Sequence, residues 1–501
     1  MLWLLACGSL EDSGLSPYET GTEAIWQTDG VQVCNGKDSG FVPNAFWGPE
    51  SGVTTSSETG LGVSVADMNG DGLLDLVLPV QREGEIWYQL EDGWVSRSLY
   101  TDQSINVLVP IDLDGDGDLD LDAGGNNVGG WLENVGGGQF EPHLQDDDIL
   151  TSLAWADVDQ DGALDRIVGA FGRPQNTWFG TNQWEPGNPN RVELANGDAL
   201  PLPDEVALGY TYVLAPLDAN VDGAVDLYAV NDFGNQVLGN QLLFGPDLVE
   251  HRASYVGNGM GLAVGDINHD GYPDLAFSGW QNNALLIGDG TGGFIDSSVS
   301  TGMASLLDDQ YVGWGTDFGD VDNDGDLDLL VGFGQLKQEF ALQNPDLNPS
   351  DQPDVLLLND GGVFVDAGEA WGLSGTSQTR GALLVDLNGD GFLDLVRKDL
   401  AGRGEVLMGQ CTDKAWLVVE PRQPDHDNPL AVGARVEVLG PDTTWTAWTR
   451  TGGRSLSSSA PPTAHFGLGD LERVTVRVTW PDGAVSLRED IATRQRVIVT
   501  R

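Results

Sequence analysis

A nine-residue pattern, D-x-[DN]-x-D-G-x-x-D, occurs seven times in this chain and limits its fold more than any other feature. It begins at Asp67 (DMNGDGLLD), Asp112 (DLDGDGDLD), Asp157 (DVDQDGALD), Asp218 (DANVDGAVD), Asp266 (DINHDGYPD), Asp320 (DVDNDGDLD) and Asp386 (DLNGDGFLD), hereafter loops 1 to 7. The steps between starts are 45, 45, 61, 48, 54 and 66 residues, near the length of a four-stranded propeller blade. Positions 2 and 8 of the pattern stay apolar, as with Met68 and Leu74 or Val158 and Leu164. A solvated acidic tract has no reason to keep them so. Each loop is expected to be pinned to a core at two points.

The spacing fits a hard cation. Calcium takes six to eight oxygens at about 2.3–2.6 Å, and short Asp or Asn side chains at positions 1, 3 and 5 can wrap around it. Glycine at position 6 permits the sharp turn, position 7 offers its carbonyl, and Asp at position 9 closes the shell. The candidate ligands are Asp67, Asn69, Asp71, Leu73 and Asp75 in loop 1, and Asp112, Asp114, Asp116, Asp118 and Asp120 in loop 2. Loop 3 offers Asp157, Asp159, Asp161, Ala163 and Asp165; loop 4 offers Asp218, Asn220, Asp222, Ala224 and Asp226. Loop 5 has Asp266, Asn268, Asp270, Tyr272 and Asp274. Loop 6 has Asp320, Asp322, Asp324, Asp326 and Asp328, and loop 7 has Asp386, Asn388, Asp390, Phe392 and Asp394. About seven Ca²⁺ are expected, one per repeat, with loops 2, 3 and 6 binding tightest because position 3 is Asp there.

EF-hand and dockerin loops have similar ligands but are flanked by helices. Here the flanks read as strands, with GVSVA before loop 1 and DLVLPV, DLAFSG and DLLVGF leading out of loops 1, 5 and 6. Downstream of most loops a strand, a Gly/Asn turn and a Phe-led strand follow, as in WLENVGGGQF from Trp131 and LIGDGTGGF from Leu286. Four strands per repeat imply an all-β, seven-bladed β-propeller. These repeats resemble FG-GAP/VCBS repeats, like the propeller of integrin α subunits, over residues 31–412. The resemblance implies a largely structural calcium at the loop joining the first two strands of each blade.

From Lys414 onward the Asp loops stop. The blocks NPLAVGARVEV from Asn428, GGRSLSS from Gly452, HFGLG from His465 and a closing WPDG from Trp480 resemble the ASPIC/UnbV domain. Residues 474–480 alternate like a half-exposed strand entering a Pro-Asp-Gly turn, so 413–501 reads as a small C-terminal β-domain. The pairing of the two families is typical of secreted acidic proteins. The balance here is indeed acidic, 78 Asp+Glu against 23 Lys+Arg, a formal −55. That excludes nucleic acid as a partner, since phosphate binding needs a basic face.

Of three cysteines, Cys7 sits in MLWLLACGS, which resembles a bacterial lipobox without a basic n-region. A longer leader upstream, lipidation at Cys7 and an extracellular or outer-membrane location are expected, with residues 8–30 as an acidic tether. After Met408 the last repeat has no Phe-led outer strand, whereas Phe41 and the following Ser51-Gly52-Val53 resemble the tail of the sixth repeat. The N-terminal segment should therefore supply the fourth strand of the last blade, and Cys34 should pair with Cys411 across that junction.

Two functions compete. The first is a calcium-stabilised adhesion or recognition module, monomeric, whose partner is a protein or glycan at the cell surface and which meets a membrane only through a lipid anchor. The second is a secreted hydrolase or lyase on a propeller scaffold. The five histidines, His143, His251, His269, His426 and His465, are scattered, and no nucleophile or zinc motif stands out, so the first reading is preferred. Insertions at 171–210, with Trp178 and Trp184, and at 335–354 are where a sugar-stacking ligand site is expected.

Overall fold

The computed structural model describes residues 24–31, 41–43, 60–79, 84–90, 93–99, 103–171, 189–200, 202–203, 208–233, 239–280, 283–307, 310–335, 352–373, 375–400 and 404–501. Strands dominate, and each Asp-rich loop joins the first two strands of a four-stranded antiparallel unit. In unit 1 these are Ser64–Ala66, Asp75–Leu78, Glu85–Leu90 and Gly93–Ser98. Units 4, 5 and 6 repeat the plan, led by Tyr210–Leu217, Gly259–Gly265 and Gly313–Gly319. Units 2 and 3 are joined in one sheet, because the run Phe140–Ala156 is the last strand of one and the first of the other. Unit 7 takes Thr379–Val385, Asp394–Asp399 and Gly404–Gly409 from its own sequence. Its fourth strand is Phe41–Pro43, pairing Phe41 with Gly409 and Val42 with Met408.

Apolar cores lie between the units and run in a cycle. Ile86 meets Leu121 between units 1 and 2, Val109 meets Val168 between 2 and 3, and Ile167 meets Leu227 between 3 and 4. The cycle continues with Val230 and Leu275, Ala276 and Leu329, and Leu330 and Leu395, and returns to unit 1 through Val396 and Leu76. Each fully buried aliphatic side chain contributes about 1.5–3 kcal/mol.

The apolar positions of the loops explain how the loops are held. Position 2 enters the core shared with the following unit: Met68, Val158, Ala219, Ile267, Val321 and Leu387 all do so. Position 8 faces the preceding unit, as Leu74, Leu119, Val225, Leu327 and Leu393 do. Each such loop therefore rivets two neighbouring interfaces.

The C-terminal domain is two packed sheets. One contains Ala415–Arg422, Ala464–Gly469 and Gln495–Thr500; the other contains Arg435–Leu439, Thr444–Trp448, Arg473–Thr479 and Val485–Ala492. Val474, Val476, Val478 and Trp480 point into the core between them, which is the expected alternation. Two features add to the sequence reading. Within the segment read as a tether, Ile25–Thr28 forms an edge strand on Gln495–Thr500, Ile25 opposite Thr500. The small β-domain of 413–501 also reaches out of its own two sheets.

Its segment 449–460 runs into the middle of the cycle of units. Thr451 and Gly452 pair with Trp155 and Ala154 of unit 3, Ser455 bridges Leu262 of unit 5, and Ser459 bridges Ser64 of unit 1. Leu456 is fully buried against Met260, Val312 and Trp314. Arg454 grips the buried Asp317 of unit 6 at 2.8–3.2 Å. The fit is close enough to require glycine on both sides. A Cβ on Gly62 would collide with the Ser457 carbonyl, and one on Gly452, whose φ is +72°, would collide with that of Leu153.

Candidate metal centres

The seven loops share one hydrogen-bond frame. The position-6 glycine N–H donates to the position-1 carboxylate at 2.8–3.1 Å, as Gly72 does to Asp67 and Gly117 to Asp112. Position 5 donates its N–H to the side-chain oxygen of position 3 at 2.9–3.2 Å. Position 7 donates to the position-5 carboxylate at 2.8–3.1 Å. These bonds curl the loop around the side-chain oxygens of positions 1, 3 and 5, each of which accepts a backbone N–H of the same loop. The turn needs a left-handed residue at position 6, and glycine stands there every time, with φ between +84° and +109°.

Position 9 does more than close a shell. Asp75, Asp120, Asp165, Asp226, Asp274, Asp328 and Asp394 are all buried, and each uses both oxygens. One accepts the position-2 N–H at 2.8–2.9 Å. The other accepts an N–H at or just beyond the end of the third strand, from Gln89, Asn134, Ala195, Gly245, Gly288, Asn359 or Gly409, at 2.7–3.0 Å. The carboxylate thus staples loop to blade. In unit 2 this bond folds the continuous run Asp120–Asn134 back on itself, with Asn127 left-handed at +62°.

Such a frame leaves negative charge in dry surroundings. Burial pushes Asp75, Asp226 and Asp274 up to about 7, against the amide bonds that lower them. Burial and then Asp390 raise Asp386 to about 7, and burial raises Asp157 to about 6. In loop 6, burial and then neighbouring loop carboxylates hold both Asp320 and Asp328 well above the usual range. One oxygen of Asp157 and one of Asp118 are buried without a hydrogen-bond partner. A cation fits this donor set and would relieve both the repulsion and the orphaned oxygen of Asp157 at position 1.

Position 3 divides the loops. In loops 2, 3 and 6, carboxylate oxygens of positions 1, 3 and 9 (Asp112/Asp114/Asp120, Asp157/Asp159/Asp165, Asp320/Asp322/Asp328) lie within 4.8 Å of one another. In the other four, the Asn amide at position 3 donates to the position-5 carboxylate at 2.8–3.1 Å, from Asn69, Asn220, Asn268 and Asn388. At position 7, Phe392 is buried while its N–H joins the frame.

Position 4 carries interactions that the pattern did not mark. It is left-handed in all seven loops, at Gly70, Gly115, Gln160, Val221, His269, Asn323 and Gly389, with φ from +55° to +77°. Gly and Asn at four of these sites were the available signal for that conformation. Three of the side chains reach the next loop. Gln160 Nε2 donates to Gly223 O at 3.1 Å, His269 Nε2 lies 2.9 Å from Asp326, and Asn323 Nδ2 donates to Gly391 O at 3.0 Å.

The C-terminal domain sits on loops 5 to 7. Arg435 Nη2 reaches Gly271 O at 3.3 Å, Trp445 Nε1 donates to Gly325 O at 2.8 Å, and His465 Nε2 lies 3.0 Å from Gly391 O. Burial lowers His465 to about 4, so its neutral ring donates that bond. Arg422, Arg496 and His426 of the domain line, together with residues of loops 1, 2, 5, 6 and 7, a cavity of about 2100 Å³.

Cys411 is disulfide-bonded. Cys7, Cys34, Trp178 and Trp184 lie outside the described residues. Among those residues no helix is long and apolar enough to cross a membrane.

Comparison with known proteins follows the same division. Residues 424–501 match the ASPIC and UnbV family, and residues 266–331 match the FG-GAP-like repeat. Cartilage acidic protein 1 of Xenopus tropicalis is 29% identical over 239 residues, which is 46% of this chain and 35% of that protein. The human protein of that name is also 29% identical, over 242 residues, 46% of this chain and 34% of its own. The chain thus matches about a third of the length of these curated relatives. Among solved structures, BBS1N in complex with ARL6DN is similar with a TM-score of 0.46 and 11% identity, over 75% of this chain and 99% of that one.

Proposed function

We propose that this protein is a calcium-stabilised propeller module that acts outside the cell in adhesion or recognition. The observation that supports the reading is the shared frame: in all seven loops the same backbone N–H groups engage side-chain oxygens of positions 1, 3 and 5 beside a buried position-9 Asp, and in loops 2, 3 and 6 carboxylate oxygens of positions 1, 3 and 9 lie within 4.8 Å of one another. Bound calcium would supply positive charge where the loops gather three or four carboxylates, held by positions 1, 3, 5 and 9 and the position-7 carbonyl. The chain's own part is to fix the turn, to exclude water at position 9 and to tie the loops into the cores between units.

An extracellular setting agrees with the acidic composition, the two matched families and a disulfide at Cys411, which we assign to Cys34. Phe41–Pro43 pairs beside Gly409, so the chain passes near Cys411 a few residues after Cys34. Cys7 would then be the lipid-bearing residue of an outer-membrane form, with the module as a monomer. The partner would be a surface protein or glycan, and Trp178 and Trp184 are the residues we assign to ring stacking.

The test begins with metal content and melting temperature of the full chain, with calcium and with EGTA. A metal-free protein whose melting is the same in both would overturn the calcium reading. A glycan array and a surface pull-down, each with and without chelator, then test recognition. Failure to retain any glycan or surface protein in calcium would overturn that part.

A further inference from the structure

We infer that the seven loops are not seven independent sites: loops 5, 6 and 7 form one linked unit clamped by the C-terminal domain, loops 3 and 4 form a linked pair, and loops 1 and 2 have no link of this kind. This rests on the calcium reading above and deepens it.

The links follow from position 4. That residue lies between the position-3 and position-5 ligands, so its placement follows how its own loop closes. In loops 5 and 6 its side chain ends on the turn of the next loop: His269 on Asp326 at position 7, and Asn323 on the carbonyl of Gly391 at position 6. Gln160 makes the same bond from loop 3 to Gly223 of loop 4. Those acceptors belong to the segment that aims the position-7 carbonyl. Closing one loop therefore places the acceptor for its neighbour's side chain, and closing the neighbour places the donor. Asn323 is fully buried, so its bond is not exchanged with water. Coupling of this kind is reciprocal.

The breaks are as plain as the links. Gly70, Gly115 and Gly389 have no side chain to reach across, and Val221 has no polar atom. Position 4 therefore passes nothing forward from loops 1, 2, 4 and 7; loop 1 meets unit 2 elsewhere, where Asn134 Nδ2 donates to Met68 O at 3.3 Å.

The C-terminal domain falls on the linked set. Arg435, Trp445 and His465 take the carbonyls of Gly271, Gly325 and Gly391, which are position 6 of loops 5, 6 and 7. Gly469 N–H adds a bond to Asn323 O at 2.9 Å, and the Trp416 ring lies so close to Gly391 that a Cβ there would collide with it. Three fixed donors on one rigid domain can be satisfied together only when the three turns hold their closed shape. The domain is therefore a third party to each closure.

Calcium titration of the chelator-stripped full chain, followed by calorimetry and by tryptophan fluorescence, tests the inference. Wild type should fill a group of sites in one cooperative step that moves Trp445 emission. His269→Gly and Asn323→Gly keep the left-handed turn, since glycine is what loops 1, 2 and 7 carry there. Each should split that step and weaken the group about 5-fold or more per lost link. The exposed Gln160→Gly should do the same to a separate pair while leaving the Trp445 step alone; it serves if a buried variant fails to fold. Wild-type binding with isotherms unchanged in Gln160→Gly and in the folded variants among the other two would overturn the coupling alone. Absence of any calcium binding in wild type would overturn the calcium reading and this inference with it.

Discussion

Loops 1 and 6 have almost the same pattern and the same backbone frame, yet they occupy different worlds. In loop 1, Asn69, Asp71 and Gly72 are exposed. In loop 6, Asp320 and Asn323 are buried, the backbone of Gly467 presses on Asp320, and Trp445 closes over Gly325. The nine-residue pattern dictates a local shape. What that shape costs when it is empty is decided by what packs on it. Charge that loop 1 shares with water is held by loop 6 in a dry interface, so cation binding should matter most where the C-terminal domain sits.

The largest expected effect comes from removing divalent cations. EGTA should lower the melting temperature by about 10 °C or more, since several sites each add stability by linkage. Hydrogen exchange should locate the loss. The backbone N–H groups of loop 6 and of strand Ala464–Gly469 should lose more protection than those of loop 1. Equal loss in loops 1 and 6 would break the comparison.

Next is the inserted segment. Arg454 is the bonded cation of the buried Asp317, which also accepts Leu384 N–H at 3.0 Å; Arg454→Ala would leave that carboxylate without its ion-pair partner, at about 3–5 kcal/mol. Arg473, whose partner Asp490 is well exposed, provides the contrast: Arg473→Ala should cost under about 1 kcal/mol. Urea melts of both variants check the difference. Comparable costs would mean that the segment is not anchored as its contacts require.

The staple at position 9 separates motif from surroundings. Asp75 and Asp328 are both buried, and each accepts two backbone N–H groups. In EGTA, Asp75→Ala and Asp328→Ala should each cost about 2–4 kcal/mol for the two stranded N–H groups, offset by the relief of a buried charge. The offset is larger in loop 6, where neighbouring carboxylates crowd Asp328, so Asp328→Ala should be the milder change without calcium and the harsher one with it.

Much of this was legible in the residues, for a physical reason. Cation ligands need fixed spacing, and strands need period-two patterning, so loops 1 to 7 and their flanking strands could be read locally, and the pairing of Phe41–Pro43 with unit 7 followed from the strand that the last repeat lacks. The contacts that were not legible join residues far apart in the chain. Nothing in IWQT at Ile25–Thr28 points to Gln495–Thr500, since a four-residue edge strand has no pattern of its own. The block from Gly452 to Ser458 resembled a family signature, yet its glycines and serines gave no hint that they thread between seven units. Position 4 has no fixed residue type to mark it. Its constant feature is a backbone angle, and its side chains matter only to the next loop.

The smallest expected effect is a dependence on pH, and its sign distinguishes empty loops from filled ones. Asp75, Asp226 and Asp274 are raised by burial from 3.8 to about 7 in the folded, cation-free protein. Unfolded, they titrate near the ordinary carboxylate value. Between about pH 4 and 7 the folded state therefore binds more protons than the unfolded state, and stability falls as pH rises through that window. In EGTA the protein should accordingly melt higher at pH 5.5 than at pH 8, by roughly 3–5 °C. In excess calcium the order should reverse, because acid competes with the cation for the same oxygens and removes its stabilisation. Thermal scans at the two pH values, with and without calcium, read this directly. Matching slopes in the two conditions would mean that the buried carboxylates and the cation do not share a site.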